Sequence, residues 1–225
     1  MVCYRAYKNG AYETLDFTSA KWKDKEMILD PEAGEYRIIT ANRMPNGKLF
    51  TNEYFLTIGQ GESQTVELKL RDAKIADMLE RNELQDFNLH DEKGNKVAAR
   101  ELAEGQKSIF VWIEEGKEPT EHILNEMIVS AGAFNEINSQ IIFILRSKTA
   151  LQNVTLAKTL GLIPKVKLYY DDFRENINTI GRRMYVDPDK LPLVVVMNKG
   201  LTGVYACSGY NVGVAELLIK IVKAI

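Results

Sequence analysis

SIFVWIEEGKEPTEHILNEM, residues 108–127, decides the fold. Its first part, IFVWI at 109–113, is a short apolar run of strand formers, the composition of a strand buried on both faces. EEGKE at 114–118 is a charged turn around Gly116. Pro119 suits the first turn of a helix, because its φ is already near the helical value and its missing N–H would find no partner there. Ile123, Leu124, Met127, Ile128 and Ala131 recur at helical spacing and mark that helix's buried face. Strand, tight turn and helix in immediate succession predict an α/β unit.

Composition bounds what that unit can be. At 225 residues the chain has room for two modest domains, each with a core. A formal charge of -2 supplies no basic field, which argues against a nucleic-acid partner. The apolar runs are strand length, far short of the roughly 20 residues a helix needs to cross a bilayer, so no membrane span is expected. Residues 1–17, MVCYRAYKNGAYETLDF, lack the apolar stretch of a secretory signal, and the expected location is the cytoplasm. The two cysteines, Cys3 and Cys207, read as buried free thiols in a reducing compartment; spacing alone does not fix a disulfide. His90 and His122 lie far from both in sequence, so no zinc-type ligand set is visible, and neither metal nor cofactor is expected.

Residues 1–71 read as an antiparallel β module of about five strands. Residues 4–7 and 11–17 flank the turn Lys8-Asn9-Gly10, and a polar region with Trp22 follows. Residues 35–42 and 49–58 flank a second Asn-Gly turn at Asn46-Gly47. QTVELKL at 64–70 alternates, with Val66, Leu68 and Leu70 on one face. The set suggests an Ig-like or transthyretin-like half-sandwich. Seventy residues of sheet make a marginal core, and the chain enters a strand almost at once. The expectation is therefore a C-terminal piece of a longer protein, with Met1 an added or internal start. A connecting helix is expected within 72–84, spanning 73–82.

The second domain, 85–225, opens with Asp86, Phe87, Leu89, Asp91, Gly94 and Val97 in the pattern D-F-x-L-x-D-x-x-G-x-x-V. After the 108–127 corner, QIIFIL at 140–145 is a second buried strand. Thr149 to Gln152 is a capping-box signature opening a helix that carries Leu151, Val154 and Leu160 and ends at Gly161. A strand at 166–170 precedes a helix carrying Phe173, Ile177, Ile180 and Met184. Leu191-Pro192 then leads into LVVVMN, residues 203–207 pair back, and Val214, Leu217, Leu218, Ile221, Val222 and Ile225 form an apolar stripe on a final helix.

The opening pattern resembles the N-terminal extension of peroxiredoxin-like and TlpA-like proteins, and the order βαβαββα from residue 108 resembles the thioredoxin fold with the TlpA-like insertion. That resemblance implies an α/β thioredoxin-like domain behind a small all-β domain. It also implies that Leu191-Pro192 is a cis bond facing the corner where redox-active members carry Cys-x-x-Cys. Here the matching positions are Lys117, Glu118, Pro119 and Thr120. Redox chemistry there needs a thiolate stabilised by the helix N-terminus. Lys117 and Thr120 cannot form a disulfide, and Cys207, at the end of the last strand, reads as core. No catalytic residue is expected.

Other groups have plain readings. Thr120 and His122, two apart on a helix, do not face each other as nucleophile and base. Glu114, Glu115, Glu118 and Glu121 form a solvated charged turn, with cation binding the lesser reading. Lys165, Lys167, Arg182 and Arg183 are surface basics. Tyr169, Tyr170 and Tyr185 read as half-buried tyrosines, a groove lining being the lesser reading.

The phrases Gly10-x-Tyr12-x-Thr14-Leu15-Asp16, Gly34-x-Tyr36-Arg37-x-x-Thr40-x-Asn42-Arg43 and Val66-x-Leu68-x-Leu70-Arg71, with residues 116–126, resemble the tail of bacterial transglutaminase-like proteins. This implies a papain-like Cys-His-Asp domain upstream and a cysteine-less thioredoxin-like module here. The leading expectation is a non-enzymatic accessory region that binds protein or peptide, including the upstream domain. One alternative is a thioredoxin-fold enzyme that handles glutathione without Cys-x-x-Cys. Another is a carbohydrate-binding β module, which would need Trp22 with Tyr36 or Tyr54 as an exposed platform.

Overall fold

A computed structural model describes residues 6–8, 11–13, 21–23, 26–28, 32–44, 47–69, 74–103, 105–146, 148, 152–172 and 175–225. The chain separates into two compact units, one built from Met1–Met44 and Lys48–Ala73, the other including Lys74–Ile225.

In the first unit the described strands pair as antiparallel hairpins. β1 (Ala6–Lys8) pairs with β2 (Ala11–Glu13), β3 (Lys21–Lys23) with β4 (Glu26–Ile28), and β5 (Gly34–Arg43) with β6 (Leu49–Ile58). The β3–β4 hairpin occupies the region around Trp22 in which no strand is expected. Along β5–β6 the side chains alternate as a half-covered ladder requires: Tyr36, Thr40 and Phe50 are buried, Leu49 and Phe55 exposed. On the open face Arg37 bonds Glu53 at 2.5 Å and its guanidinium lies 5.8 Å from the Phe55 ring centre.

The expected strand at 64–70 joins no ladder over residues 64–69. Side chains of β5 and β6 hold this segment instead. The Lys69 carbonyl accepts from Thr40 Oγ1 (3.0 Å), Asn52 Nδ2 (3.1 Å) and the Tyr54 hydroxyl (2.9 Å). A carbonyl claimed by three side chains does not need a strand neighbour. Leu70, Asn9, Gly10, Asn46 and residues 14–17 lie outside the described residues.

In the second unit the expected connecting helix is one turn, α1 (Ile75–Met78). The chain straightens after it because β7 (Asn82–Glu83) pairs with β14 (Thr202–Ser208). The Glu80 N–H donates to the Val204 carbonyl at 2.7 Å and the Leu84 N–H to that of Leu201 at 2.9 Å.

β8 (Asn88–His90), β9 (Lys96–Ala98) and α2 (Ala99–Ala103) precede β10 (Lys107–Trp112). Then come α3 (Glu118–Val129), α4 (Ala131–Glu136), β11 (Ser139–Leu145), α5 (Val154–Leu162), β12 (Val166–Tyr170), α6 (Glu175–Met184), β13 (Leu193–Met197), β14 and α7 (Val214–Ala224). Eight strands form one sheet in the order β7-β14-β13-β10-β11-β12-β8-β9. β10, β11 and β12 run parallel; β13 and β14 run antiparallel to their neighbours. This is the thioredoxin-like arrangement, and with the hairpins of the first unit it makes the chain an α/β protein with a small all-β unit in front.

The central strands are dry. Residues 109–112, 141–145 and 193–197 are without exposure, the state the apolar runs require. On one face Phe110, Trp112, Ile142, Ile144 and Val195 join Phe87, Leu89, Ile177 and Ile180 in a single cluster. Phe87, Phe110 and Trp112 meet with ring centres 5.8–6.1 Å apart. Each such fully buried side chain contributes about 1.5–3 kcal/mol.

Helix ends depart from expectation in two places. α5 is capped by Asn153, whose Oδ1 accepts the Leu156 N–H at 2.8 Å, and the helix runs through Gly161 to Leu162. Thr149, Ala150 and Leu151, where a capping box is expected, lie outside the described residues, as does Phe173. In α7, Leu217 is half-buried while Ala215 and Ile219 join the buried face.

Tyr185 follows α6 with φ of 55° and 82% exposure. The Val186 N–H closes the turn on the Gly181 carbonyl at 3.0 Å. A left-handed residue after a helix is ordinarily glycine, because a side chain there clashes with the backbone. Tyr185→Gly is therefore expected to raise stability by about 0.5–1 kcal/mol, the relieved strain outweighing the freer unfolded chain. Urea unfolding checks this; a lower midpoint would mean the ring makes a contact worth more than its strain.

Candidate functional site

The corner at the end of β10 is built by backbone. The Ile113 N–H still pairs with the Ile144 carbonyl at 3.1 Å, so the strand stays in register up to the turn. Gly116, at φ of 70°, then reverses the chain in a conformation side chains resist. α3 starts at Glu118 with Pro119 second, where its missing N–H costs nothing. Lys117 is extended, and its carbonyl accepts the N–H groups of Thr120 and Glu121, each at 3.0 Å.

Lys117 and Glu118 are exposed, whereas Thr120 is buried and its Oγ1 has no hydrogen-bond partner among the described residues. Glu118 and Glu121 lie in the first turn, where carboxylates interact favourably with the helix dipole. Trp112 pairs with Leu193, which sets the loop before β13 at the same end of the sheet, one strand spacing (about 4.8 Å) away. In that loop the Leu191–Pro192 peptide is cis. The Gly209 N–H is 3.0 Å from the carbonyls of both Lys190 and Pro192. Among the described residues the N–H and C=O of Leu191 have no partner.

The acidic residues of the turn do not converge. Glu114 faces Arg146 at 4.0 Å, Glu118 meets His122 at 3.3 Å, and Glu121 accepts from Asn153 Nδ2 at 2.5 Å. Among the described residues no group of three or more His, Cys, Asp or Glu side chains is placed to hold a metal ion. His122 stacks on Tyr210 with ring centres 4.7 Å apart and does not face Thr120 as a base would. Lys165 reaches the Ile137 carbonyl at 2.5 Å, and burial pulls its ammonium pKa down. Lys167 lies 3.4 Å from Gln140, and Arg182 and Arg183 are exposed at the end of α6.

Tyr170 is buried on β12, Tyr169 packs against the core, and Tyr185 stands exposed beyond α6, so the three line no common surface. Tyr36 is 5% exposed and donates its hydroxyl to the Glu32 carbonyl at 2.5 Å. A buried ring cannot serve as a sugar platform, and the Tyr54 hydroxyl is engaged by Lys69; the Trp22 side chain lies outside the described residues.

Glu126 has a role that the sequence reading missed. Its Oε1 accepts the Tyr210 hydroxyl at 2.9 Å and the Gly213 N–H at 2.7 Å; Oε2 accepts the Ala215 N–H at 3.1 Å. Gly213, at φ of 80°, is the residue before α7 and offers no capping side chain. The carboxylate of α3 therefore caps α7 from outside, and the bond to Glu126 pushes the Tyr210 phenol pKa up. The signal in the sequence is the lack of Ser, Thr, Asp or Asn immediately before Val214.

Cys207 is fully enclosed on β14, and burial pushes its thiol up to about 12. Burial likewise raises the neighbouring Tyr205 phenol.

No protein-family model and no curated protein matches the chain. Solved structures do. A Chlorobium tepidum protein classed as the thiol:disulfide interchange protein DsbE is 16% identical, covering 65% of this chain and 97% of its own, with a TM-score of 0.46. A thioredoxin-like protein from Porphyromonas gingivalis is 18% identical over 63% of this chain and 90% of its own, TM-score 0.46. The bacterioferritin comigratory protein of Xanthomonas campestris is 14% identical over 61% and 90%, TM-score 0.46.

Two outcomes follow from these contacts. Glu126→Gln leaves a partial cap but removes the charge and presents an amide to backbone donors; a loss of about 1–2 kcal/mol in urea unfolding is expected. An unchanged midpoint would show that α7 is held by its apolar face alone. For Cys207, a folded-state pKa of about 12 against an ordinary 9.0 means that folding favours the neutral thiol. Its stabilising contribution is full below pH about 9 and is lost as pH rises toward 12. With Cys3 replaced by Ser, Ellman's reagent at pH 8 should label no thiol until the protein is unfolded, and Cys207→Ala should flatten the alkaline loss of stability. Rapid labelling of the folded protein would overturn the assignment of Cys207 to the core.

Proposed function

We propose that this chain is a non-catalytic accessory region of a larger bacterial transglutaminase-like protein, located in the cytoplasm, and that its thioredoxin-like unit binds protein or peptide without exchanging disulfides. The observation that carries the reading is the corner itself. Lys117, Glu118, Pro119 and Thr120 occupy the start of α3 with no thiol. Beside them Leu191 keeps an N–H and C=O that pair with no described residue, just before the neighbouring strand. An extended segment laid there gains strand-like backbone pairing, the same physics by which peptides add to sheet edges. Exposed Lys117 favours an acidic residue in that segment. The upstream domain of the same polypeptide is one such partner.

A glutathione-handling enzyme would need a reactive group at this corner. Thr120 is shut off from solvent, and the Cys207 thiol is protonated at neutral pH.

A photo-crosslinking residue placed at Lys117 in the full-length protein, in its native cells, tests the reading, with Val129, 88% exposed on the same helix, as the control position. A discrete adduct at 117 and none at 129 is expected, weakened when Leu191→Pro removes the free N–H. Insulin reduction and glutathione-dependent disulfide reduction should both run at the buffer rate. Catalysis in either assay, or equal crosslinking at both positions, would sink the proposal.

A further inference from the structure

The corner at the start of α3 leaves polar groups unmatched, and they are of one kind. Three of its four carboxylates are engaged: Glu114 by Arg146, Glu118 by His122 and Glu121 by Asn153. Glu115 is the exception. Its side chain is half-buried, and its Oε2 is enclosed with no hydrogen-bond partner among the described residues, while Oε1 keeps contact with solvent. No described cation pairs with it. Thr120, 1% exposed, holds a second enclosed oxygen without a described partner. The Leu191 carbonyl is a third oxygen that pairs with no described residue.

Register brings these oxygens to one end of the sheet. Trp112 pairs with Leu193 in antiparallel strands. Carried two residues beyond the ladder, the same register sets Glu114 level with Leu191, and Glu115 follows at once. Gly116 then turns the chain into the helix that carries Thr120. A carboxylate or carbonyl oxygen only accepts hydrogen bonds, and a hydroxyl accepts as well as donates. What the corner lacks is therefore a donor. A carboxylate oxygen taken out of water is costly unless a cation or several N–H groups meet it, so the donor that fits best carries a positive charge. The solvent contact of Oε1 gives such a group its way in.

We propose that the segment bound at this corner presents a lysine or arginine side chain to Glu115. This rests on the reading of the corner as a peptide-binding surface and adds a requirement to it, a fixed basic position. Lys117, which favours an acidic residue, is two residues from Glu115, a span of at most about 7 Å. Residues i and i+2 of an extended peptide share a face at about the same separation. The bound segment therefore carries base and acid at alternate positions, as in Lys-x-Glu or Arg-x-Asp, in either order.

A photo-crosslinking residue in place of exposed Glu118 leaves Glu115 and Lys117 intact and captures the segment in the full-length protein, in its native cells. Mass spectrometry of the adduct reads the residue attached, and a lysine or arginine is expected within three positions of it. Glu115→Gln should lower the adduct yield at least about tenfold, and so should replacing that basic residue with glutamine. The two replacements together should cost no more than either one alone, the mark of a direct pair. Without any partner, Glu115→Gln in the whole chain should leave the urea midpoint unchanged or raise it, because the fold makes no use of that charge. A lower midpoint would assign the carboxylate to the fold and overturn the proposal. An adduct that Glu115→Gln leaves undiminished, or one with no basic residue near its attachment point, overturns this inference while the corner reading stands. No adduct at the corner overturns both.

Discussion

β10 is paired along both edges and covered on both faces, and the second unit is arranged around that fact. A strand removed from water must have each N–H and C=O satisfied by neighbours. β10 meets the requirement with β11 in parallel on one side and β13 antiparallel on the other. Those two registers leave little freedom at its carboxyl end. They bring the start of α3 and the Leu191–Pro192 loop to adjacent strand ends. Through Trp112, they also put a hydrogen-bond donor under Asp171. The corner is the outlet of one continuous ladder.

The helix start at that corner keeps its electrostatics while lacking a thiol. Carboxylates in the first turn of a helix are worth about 0.3–1 kcal/mol each when exposed, and Glu118 and Glu121 occupy that turn. Thr120 fills the enclosed position with a side chain close in size to a thiol-bearing one but with an unmatched hydroxyl. Cys207 lies on β14, two strands from β10, with its thiol held neutral. The field at the helix start therefore acts here on two carboxylates and a hydroxyl.

What could be read from sequence follows the strength of the local signal. Short apolar runs rich in β-branched and aromatic residues, such as IFVWI and LVVVM, favour buried strands, and the helix after Pro119 carries its own start signal. The 64–70 segment alternates as a strand does, yet Thr40, Asn52 and Tyr54 claim the Lys69 carbonyl across chain separations of 15–29 residues, which no local pattern encodes. The connecting helix shortens for a similar reason, since residues 80–84 are claimed by β14. Glu126 capping α7 from a distance of 87 residues is equally invisible to periodicity. At the candidate site the corner was legible because it is contiguous.

Glu126 and Asp171 show two ways in which a carboxylate of this unit is satisfied. A carboxylate offers about four lone-pair sites. Glu126 fills three of them with the Tyr210 hydroxyl and two backbone N–H groups at the start of α7, so its charge is absorbed by a helix end that needs it. Asp171 is the more enclosed of the two positions, and among the described residues its side chain takes one neutral donor, the Trp112 indole at 3.3 Å, while its other oxygen keeps contact with solvent. A carboxylate that still meets water needs fewer protein donors than one that must satisfy a helix end.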